Sequence, residues 1–171
     1  LQIELWRTLV DLVERHRSYA DAEWAMSVAL RDRLEAQAKR MEPVEAVERQ
    51  ARLFEHRPDI ADVERGDYEA YNQALTEARV AAVKQALAQD GLEPVLRLAA
   101  ASRLPGAVGD ALAIATEDEH AQAVLALLDG SDAEVTLASG FIRRRNFAVG
   151  PEWAKSHWAS VAEWPEERQV R

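Results

Sequence analysis

The stretch DYEAYNQALTEARVAAVKQALAQDG, residues 67–91, carries the strongest helix signal in the chain. Asp67 is a good N-cap, because its carboxylate can accept a hydrogen bond from a free N–H of the first turn, and Glu69 suits the positive end of the helix. Gly91 favours the end of the helix, since glycine readily takes the positive φ common at helix C-termini. About 22 residues at 1.5 Å per residue give a rod of roughly 33 Å, the width of a small domain.

The apolar residues of this helix fall into two strips. One strip recurs every three or four residues and contains Tyr68, Tyr71, Leu75, Ala78, Ala82 and Ala86. The other strip lies well round the cylinder and contains Val80, Val83 and Leu87. A helix that is apolar on two sides must be covered on two sides. We therefore expect the helix over residues 67–90 to lie between neighbours and to organise the rest of the chain.

The composition predicts an all-α fold. Of the 171 residues, 48% are hydrophobic and 30% are charged, which is typical of a globular protein with a real core. Alanine is common, and β-branched residues are scattered singly instead of alternating with polar residues, so helix is favoured almost throughout. The chain has no cysteine, which excludes disulfides, thiolate catalysis and cysteine-ligated metal.

Charge and hydropathy indicate a soluble, cytoplasmic protein. No apolar run approaches the length of a membrane span, and no charged and apolar leader opens the chain. The net charge of −9 disfavours nucleic acid and anionic membranes as partners overall. The chain begins with Leu1 and ends in a segment typical of a new helix, so we expect a fragment of a larger protein. The Ala, Arg and Glu bias favours a bacterial source.

The N-terminal part, residues 1–62, is predicted to be a cluster of three helices over residues 1–15, 27–40 and 43–54. Ser27 is the expected N-cap of the second helix, and Pro43 is expected in the first turn of the third. The residues expected on inner faces are Leu5, Leu9, Leu12, Val13, Leu30, Leu34, Ala38, Val44, Val47, Ala51 and Phe54, with Trp6 and Leu53 at the edges. Trp6, Trp24 and Trp164 are expected to be core anchors first and exposed contacts second, and Tyr19 and Trp24 are expected to anchor the connection after the first helix. Residues 56–66 are the longest predicted loop.

Residues 66–171 are predicted to form a helical-hairpin array, which the long helix joins to the N-terminal cluster. Short helices are favoured over residues 92–102, 105–116, 118–128 and 131–147, and from residue 151 onward. Ser131 and Glu134 form a capping box, and Trp153, Trp158 and Val161 are expected inside the last helix. Helices with such short connections fold back as antiparallel hairpins, which describes a short α-solenoid-like array.

This rhythm resembles the helical-repeat superfamily, of the HEAT or tetratricopeptide kind, over residues 92–171. The period is roughly 28 to 34 residues per hairpin, but the tetratricopeptide pattern of Trp, Leu-Gly, Tyr, Ala and Pro is not present at its offsets. The resemblance implies a surface that binds another macromolecule, usually without catalysis. An irregular helical bundle is the alternative.

Catalytic and cofactor motifs are not found in the sequence. The four histidines are too scattered for metal-ligand spacing, and Gly106 and Gly109 lack the strand and the Lys-Ser or Lys-Thr pair of a phosphate loop. The densest ligand-like group is Glu117-Asp118-Glu119-His120, but acids at this position are also what a helix N-terminus favours. We therefore predict no catalytic residue, cofactor or metal, while an enzyme with paired carboxylates stays open.

One basic run breaks the acidic pattern. Arg143, Arg144 and Arg145 are followed closely by Trp153, Lys155 and His157, and these six residues form a possible binding surface for phosphate or an acidic partner. The alternative is structural: arginines in a last helical turn neutralise the negative helix end, and the tryptophans lie in the core. Three consecutive helical residues turn through about 200°, so at least one arginine should face a neighbouring helix and pair with an acid there.

Three functions follow from these observations. The favoured one is a non-catalytic protein-interaction or scaffold module that binds a protein partner or other domains of its parent chain. The second is a nucleic-acid-binding helical array that uses Arg143–Arg145, and the third is an enzyme without a recognisable motif. Neither membrane binding nor a cofactor is expected.

Overall fold

The computed structural model describes residues 2–60, 63 and 66–162, except for the side chains of residues 154 and 158–162. Over these residues the chain is all-α and contains no strand, as the composition predicts. Its helices are α1 (Gln2–Ser18), α2 (Val28–Arg40), α3 (Ala46–Gln50), α4 (Tyr68–Asp90), α5 (Leu92–Ala101), α6 (Pro105–Thr116), α7 (Ala121–Ala126), α8 (Asp132–Val149) and α9 (Pro151–Ala162). Two 3-10 helices, Ala51–Phe54 and Leu127–Asp129, follow α3 and α7.

The long helix α4 forms as its sequence predicts. The Asp67 side chain accepts a hydrogen bond from the Ala70 N–H at 2.8 Å, and Gly91 closes the helix with a φ of 59°. Helix α4 packs against α3, the Ala51–Phe54 turn, α5 and α6, so it lies between neighbours. Tyr68, predicted to belong to a covered apolar strip, is exposed. The reason is that the first turn of α4 extends beyond the elements that cover its later turns.

A single hydrophobic cluster joins α4 to its neighbours. It runs from α3 to α9 and includes Val47, Phe54, Val83, Val95, Leu98, Val108, Leu112, Val124, Leu137, Phe141 and Trp153. The 3-10 helix after α3 belongs to this cluster through Phe54, which is fully buried. The core therefore starts in the N-terminal region and continues into residues 66–162.

Helices α6 and α8 approach each other more closely than ordinary side chains allow. A Cβ added to Gly109 would lie 1.9 Å from the Leu137 carbonyl oxygen, and one added to Gly140 would lie 2.0 Å from the Gly106 carbonyl oxygen. Only glycine fits at these two positions, since real Cβ atoms do not come within 3.0 Å of another heavy atom. The glycines thus permit backbone contact between α6 and α8.

Helices α1 and α2 form a hairpin that packs chiefly on itself. Trp6, Val13 and Ala38 are buried within it, but they lie outside the main hydrophobic cluster. Polar contacts connect α1 to the rest of the chain: Arg7 to Glu55 at 3.5 Å, Arg15 to Asp59 at 3.7 Å, and Asp11 to Arg52 at 4.0 Å. Burial raises the pKa of Asp11 and of Asp59 at this seam, against the arginine charges.

Several predicted inner faces in the N-terminal region are wrong. Leu5 and Leu30 are exposed, whereas Trp6, placed at the edge of its helix but expected to be a core anchor, is buried. The reason is that two paired helices cover only a narrow strip of each other, and in α1 this strip follows Trp6, Val13 and His16. Val44 is 90% exposed.

Pro43 does not open a helix, because α3 begins at Ala46 with Glu45 as its N-cap. The Pro43 and Val44 carbonyls instead accept hydrogen bonds from Arg49 Nη1 at 2.6 and 2.7 Å. Ser27 caps α2 as predicted.

In the C-terminal part, α5 and α6 match their predicted spans, and Ser131 with Glu134 forms the predicted capping box of α8. Leu1, Trp164, part of the 56–66 loop and the side chains of Trp158 and Val161 lie outside the described residues. Among the helices that can be assessed, none has the length and apolar character needed to cross a membrane.

Candidate functional site

Asp118 binds two of the residues that the sequence singles out, Arg145 and Trp153. Its Oδ1 accepts a hydrogen bond from Arg145 Nε at 2.9 Å and another from Trp153 Nε1 at 2.6 Å. Arg145 and Trp153 are buried, at 8% and 4% exposure. The carboxylate therefore ties the turn after α6 to α8 and α9, and Arg145 has the acidic partner that helical geometry predicts.

The electrostatics of this group favour ionised Asp118. The hydrogen bond from Arg145 does most to lower the pKa of the carboxyl, and desolvation, the second-largest effect, opposes it. The Trp153 hydrogen bond and the charges of Arg145 and His157 lower the pKa further. The carboxylate is thus engaged by two donors at neutral pH. Its arrangement is that of a structural anchor.

The other residues of α9 are also engaged. The His157 ring lies 4.5 Å from the Trp153 ring, and its Nδ1 is 2.9 Å from the Trp153 carbonyl oxygen. Lys155 Nζ donates to Glu152 Oε1 at 2.7 Å. Both side chains of that pair are largely exposed, so the pair is weak in free energy. Even so, the Lys155 charge is locally balanced.

The three arginines of the run diverge. Arg145 is buried against Asp118, Arg144 is half-buried, and Arg143 is exposed and lines a groove on another side of α8. The run does not lie in the last helical turn as predicted, because α8 continues to Val149. The reason is that Gly150, with a φ of 89°, ends the helix well beyond Arg145.

The acidic group 117–120 forms a turn, not the predicted first turn of a helix. Helix α7 begins only at Ala121. Glu117 is the C-cap residue of α6 and has a φ of 51°. The reason for the late start is that Asp118 directs its carboxylate towards Arg145 and Trp153. Within the described ranges, no three acidic or histidine side chains are placed to hold a metal ion.

The groove beside Arg143 brings together residues that no sequence pattern connects. Arg79 of α4 and Arg103 of the α5–α6 turn also line it, above the first turn of α6. These arginines are isolated in the sequence and lie on different elements. A run of basic residues in the sequence indicates only one of the three groove arginines, Arg143.

A second surface lies at the closed end of the α1–α2 hairpin. We call Trp24, Val28 and Leu30 the hairpin tip; they are 55%, 62% and 42% exposed. Trp24 was predicted to be a buried anchor first, but one side of its ring contacts His16 and Tyr19, each at a centroid distance of 5.2 Å, and the rest stays exposed. The reason is that, among the helices the structure describes, none of the later ones packs extensively on α1 or α2.

The connection that carries Trp24 is fixed by hydrogen bonds. The Met26 N–H donates to His16 Nδ1 at 3.1 Å, and Arg31 Nη1 donates to the His16 carbonyl at 3.4 Å. Arg17 of α1 also pairs with Glu35 of α2 at 3.0 Å. The hairpin tip is therefore a defined part of the surface, held from both helices.

Comparison with known proteins adds no relative: no family model, curated sequence or solved structure matches the chain.

Proposed function

We propose that this chain is a non-catalytic protein-interaction module whose contact surface is the hairpin tip. The observation that carries the proposal is that Trp24 is held by His16 and Tyr19 and is still 55% exposed. Val28 and Leu30, in the first turn of α2, are exposed as well.

The energetics of association support this surface. Tryptophan is enriched among the residues that dominate binding energy at protein interfaces. Trp24 is already ordered by its ring contacts and by the Met26–His16 hydrogen bond, so binding loses little side-chain freedom there. Covering apolar surface contributes about 25 cal/mol per Å². This favours a partner that covers Trp24 together with Val28, since Leu30 lies about 200° round α2 from Val28 and faces a different direction.

The chemistry of the surroundings indicates the kind of partner. Asp21 and Glu23 are exposed directly beside Trp24, and the whole chain carries a net charge of −9. A protein segment with apolar side chains and a positively charged rim complements this surface, and its charge would speed the encounter. Such a segment could belong to a separate protein or to another domain of the parent chain.

The wider expectations belong to the same proposal. The module remains expected to be cytoplasmic and bacterial, and to use the helical-hairpin arrangement as a scaffold, on the sequence arguments given above. The nucleic-acid alternative has less support, because Arg145 and Lys155 each pair with a carboxylate. What is left of the run, the exposed Arg143 and the half-buried Arg144, falls far short of the charge that drives nucleic-acid binding.

Site-specific photo-crosslinking tests the proposal. A photoreactive phenylalanine analogue is placed at Trp24 in one sample and at Tyr68 in a matched control, since Tyr68 is a large aromatic residue that is exposed outside the hairpin tip. In extract of the source organism, we expect a discrete heterologous protein adduct at position 24 and none at position 68. The substitution Val28→Asp should reduce the adduct by about tenfold, as loss of an interface hot spot does.

Three results would overturn the proposal. They are equal adduct patterns at the two positions, an adduct at position 24 that Val28→Asp leaves unchanged, and an adduct with a second copy of the chain. Circular dichroism of the Val28→Asp variant should match the parent, because residue 28 is exposed at a helix start.

A further inference from the structure

The groove between α4, α6 and α8 brings three arginines from different elements to one place. Its volume is about 510 Å³, and Arg79, Arg103 and Arg143 line it together with Asp110 and Thr136. The first turn of α6 forms part of its wall through Gly106. Three arginines against Asp110 leave the lining with a net charge of +2, within a chain whose net charge is −9.

Arg79 is fixed in this groove, and no carboxylate of the described residues is bonded to it. Its Nε donates to the Leu53 carbonyl at 2.8 Å, its Nη2 donates to the Glu55 carbonyl at 3.1 Å, and its guanidinium lies 5.5 Å from the centre of the Phe54 ring. These contacts use two of the five N–H groups of an arginine. Burial lowers the pKa of Arg79, against the weaker influence of Asp110. An anion in the groove would compensate this partly desolvated charge.

The other two arginines complete the charged wall. Arg103 Nε is 3.1 Å from Glu55 Oε2, and its side chain is 73% exposed, so the guanidinium is positioned but open to solvent. Arg143 is exposed and has no hydrogen-bond or ion-pair partner among the residues that the structure describes. Part of the binding capacity of all three guanidinium groups is therefore unused.

We propose that this groove binds the phosphate group of a small phosphomonoester. Guanidinium groups match phosphate oxygens through paired, charge-assisted hydrogen bonds. A volume of about 510 Å³ lies within the range of small-molecule sites. The adjoining first turn of α6 has no side-chain cap, so its positive end also favours an anion.

Asp110 indicates what stands next to the phosphate. A carboxylate in the groove repels a bare anion, but it accepts a hydrogen bond from a hydroxyl or ammonium group close to the phosphate. A ligand such as glycerol 3-phosphate therefore fits the charge pattern better than inorganic phosphate. This inference is independent of the hairpin tip, because none of the hairpin-tip residues lines the groove.

Calorimetric titration at constant ionic strength tests the site, with inorganic phosphate and glycerol 3-phosphate as probes. We expect both to bind, glycerol 3-phosphate more tightly. Arg143→Gln should weaken both by about tenfold, the effect of one charge-assisted hydrogen bond. Arg144→Gln is the matched control, since Arg144 is the next residue of α8 but does not line the groove; it should change affinity less than about twofold.

The Asp110→Asn variant distinguishes binding of inorganic phosphate from binding of the phosphomonoester. It should tighten inorganic phosphate binding, because a repulsive charge is removed, and should reduce the preference for glycerol 3-phosphate. Trp24→Ser should leave both affinities unchanged, so failure of the protein-interaction proposal and failure of this one can be distinguished. The inference is overturned if neither probe binds at millimolar concentration, if Arg143→Gln binds like the parent, or if Arg144→Gln loses as much affinity.

Discussion

Gly140→Ala should destabilise the protein strongly, although it adds one methyl group and a better helix former. The new Cβ would lie 2.0 Å from the Gly106 carbonyl oxygen, and ordinary contact begins near 3.4 Å, so α6 and α8 would have to separate by about 1.4 Å. Both partners are backbone, so no side-chain rotation can relieve the overlap. The strain must be absorbed by the packing between the two helices.

The magnitude follows from what that separation disrupts. Val108 and Leu112 of α6, and Leu137 and Phe141 of α8, are fully buried in the main cluster. A gap of about 1 Å already forfeits up to half of the dispersion attraction across it, and overpacked cores typically lose about 3 kcal/mol at the upper end. Alanine regains about 1 kcal/mol of helix propensity. We therefore expect a net loss of about 2 kcal/mol or more.

Urea unfolding followed by circular dichroism measures this loss. With a slope of about 2 kcal/mol per molar urea, the midpoint should fall by about 1 M, with the slope unchanged. Gly106→Ala is the matched control, because a Cβ there would meet its nearest atom at 3.4 Å. It should leave stability unchanged or raise it by up to about 1 kcal/mol. If Gly140→Ala unfolded at the parent midpoint, backbone contact between α6 and α8 would not be a determinant of the fold.

Other predictions concern α4, the Asp118 group and the basic run. Leu75→Ala should cost about 2 to 4 kcal/mol and Val83→Ala somewhat less; parent-like urea midpoints in both would show that α4 is peripheral. Asp118→Asn should lower the free energy of unfolding by roughly 0.5 to 1 kcal/mol at neutral pH. The loss is smaller than for a buried ion pair, because the carboxylate is 52% exposed and screened by solvent. Because folding lowers the pKa of Asp118, this stabilisation is present above the unfolded pKa of about 4 and is lost as pH falls through the folded value. The variant and parent midpoints should therefore converge in acid, and a constant difference would contradict the ion-pair explanation. Arg145→Gln should destabilise by about 1 kcal/mol, whereas Arg144→Gln should stay within about 0.5 kcal/mol of the parent. In a filter-binding assay at physiological salt, we expect no retention of DNA or RNA, and salt-sensitive binding would favour the nucleic-acid alternative.

Local sequence determined the helices and many of their ends. Asp67 and Gly91 bound α4, and Ser131 with Glu134 begins α8, because a cap depends on groups within one turn of the chain. The all-α fold follows similarly from composition and periodicity. Local geometry also explains why Arg143, Arg144 and Arg145 do not form one surface, because consecutive helical residues point in different directions.

Only the tertiary structure decided which faces are covered and which distant residues meet. Trp24 and Leu30 have apolar side chains suited to a core, but they remain exposed because no later helix in the described part of the chain packs extensively on the α1–α2 hairpin. Arg79 and Arg103 share a groove with Arg143 because α4, the α5–α6 turn and α8 converge there. Helical periodicity fixes the angle of a residue about its own axis, but the neighbour it meets depends on how the helices cross. Here that crossing rests on backbone contact at glycines, which have no side chain to reveal it in the sequence.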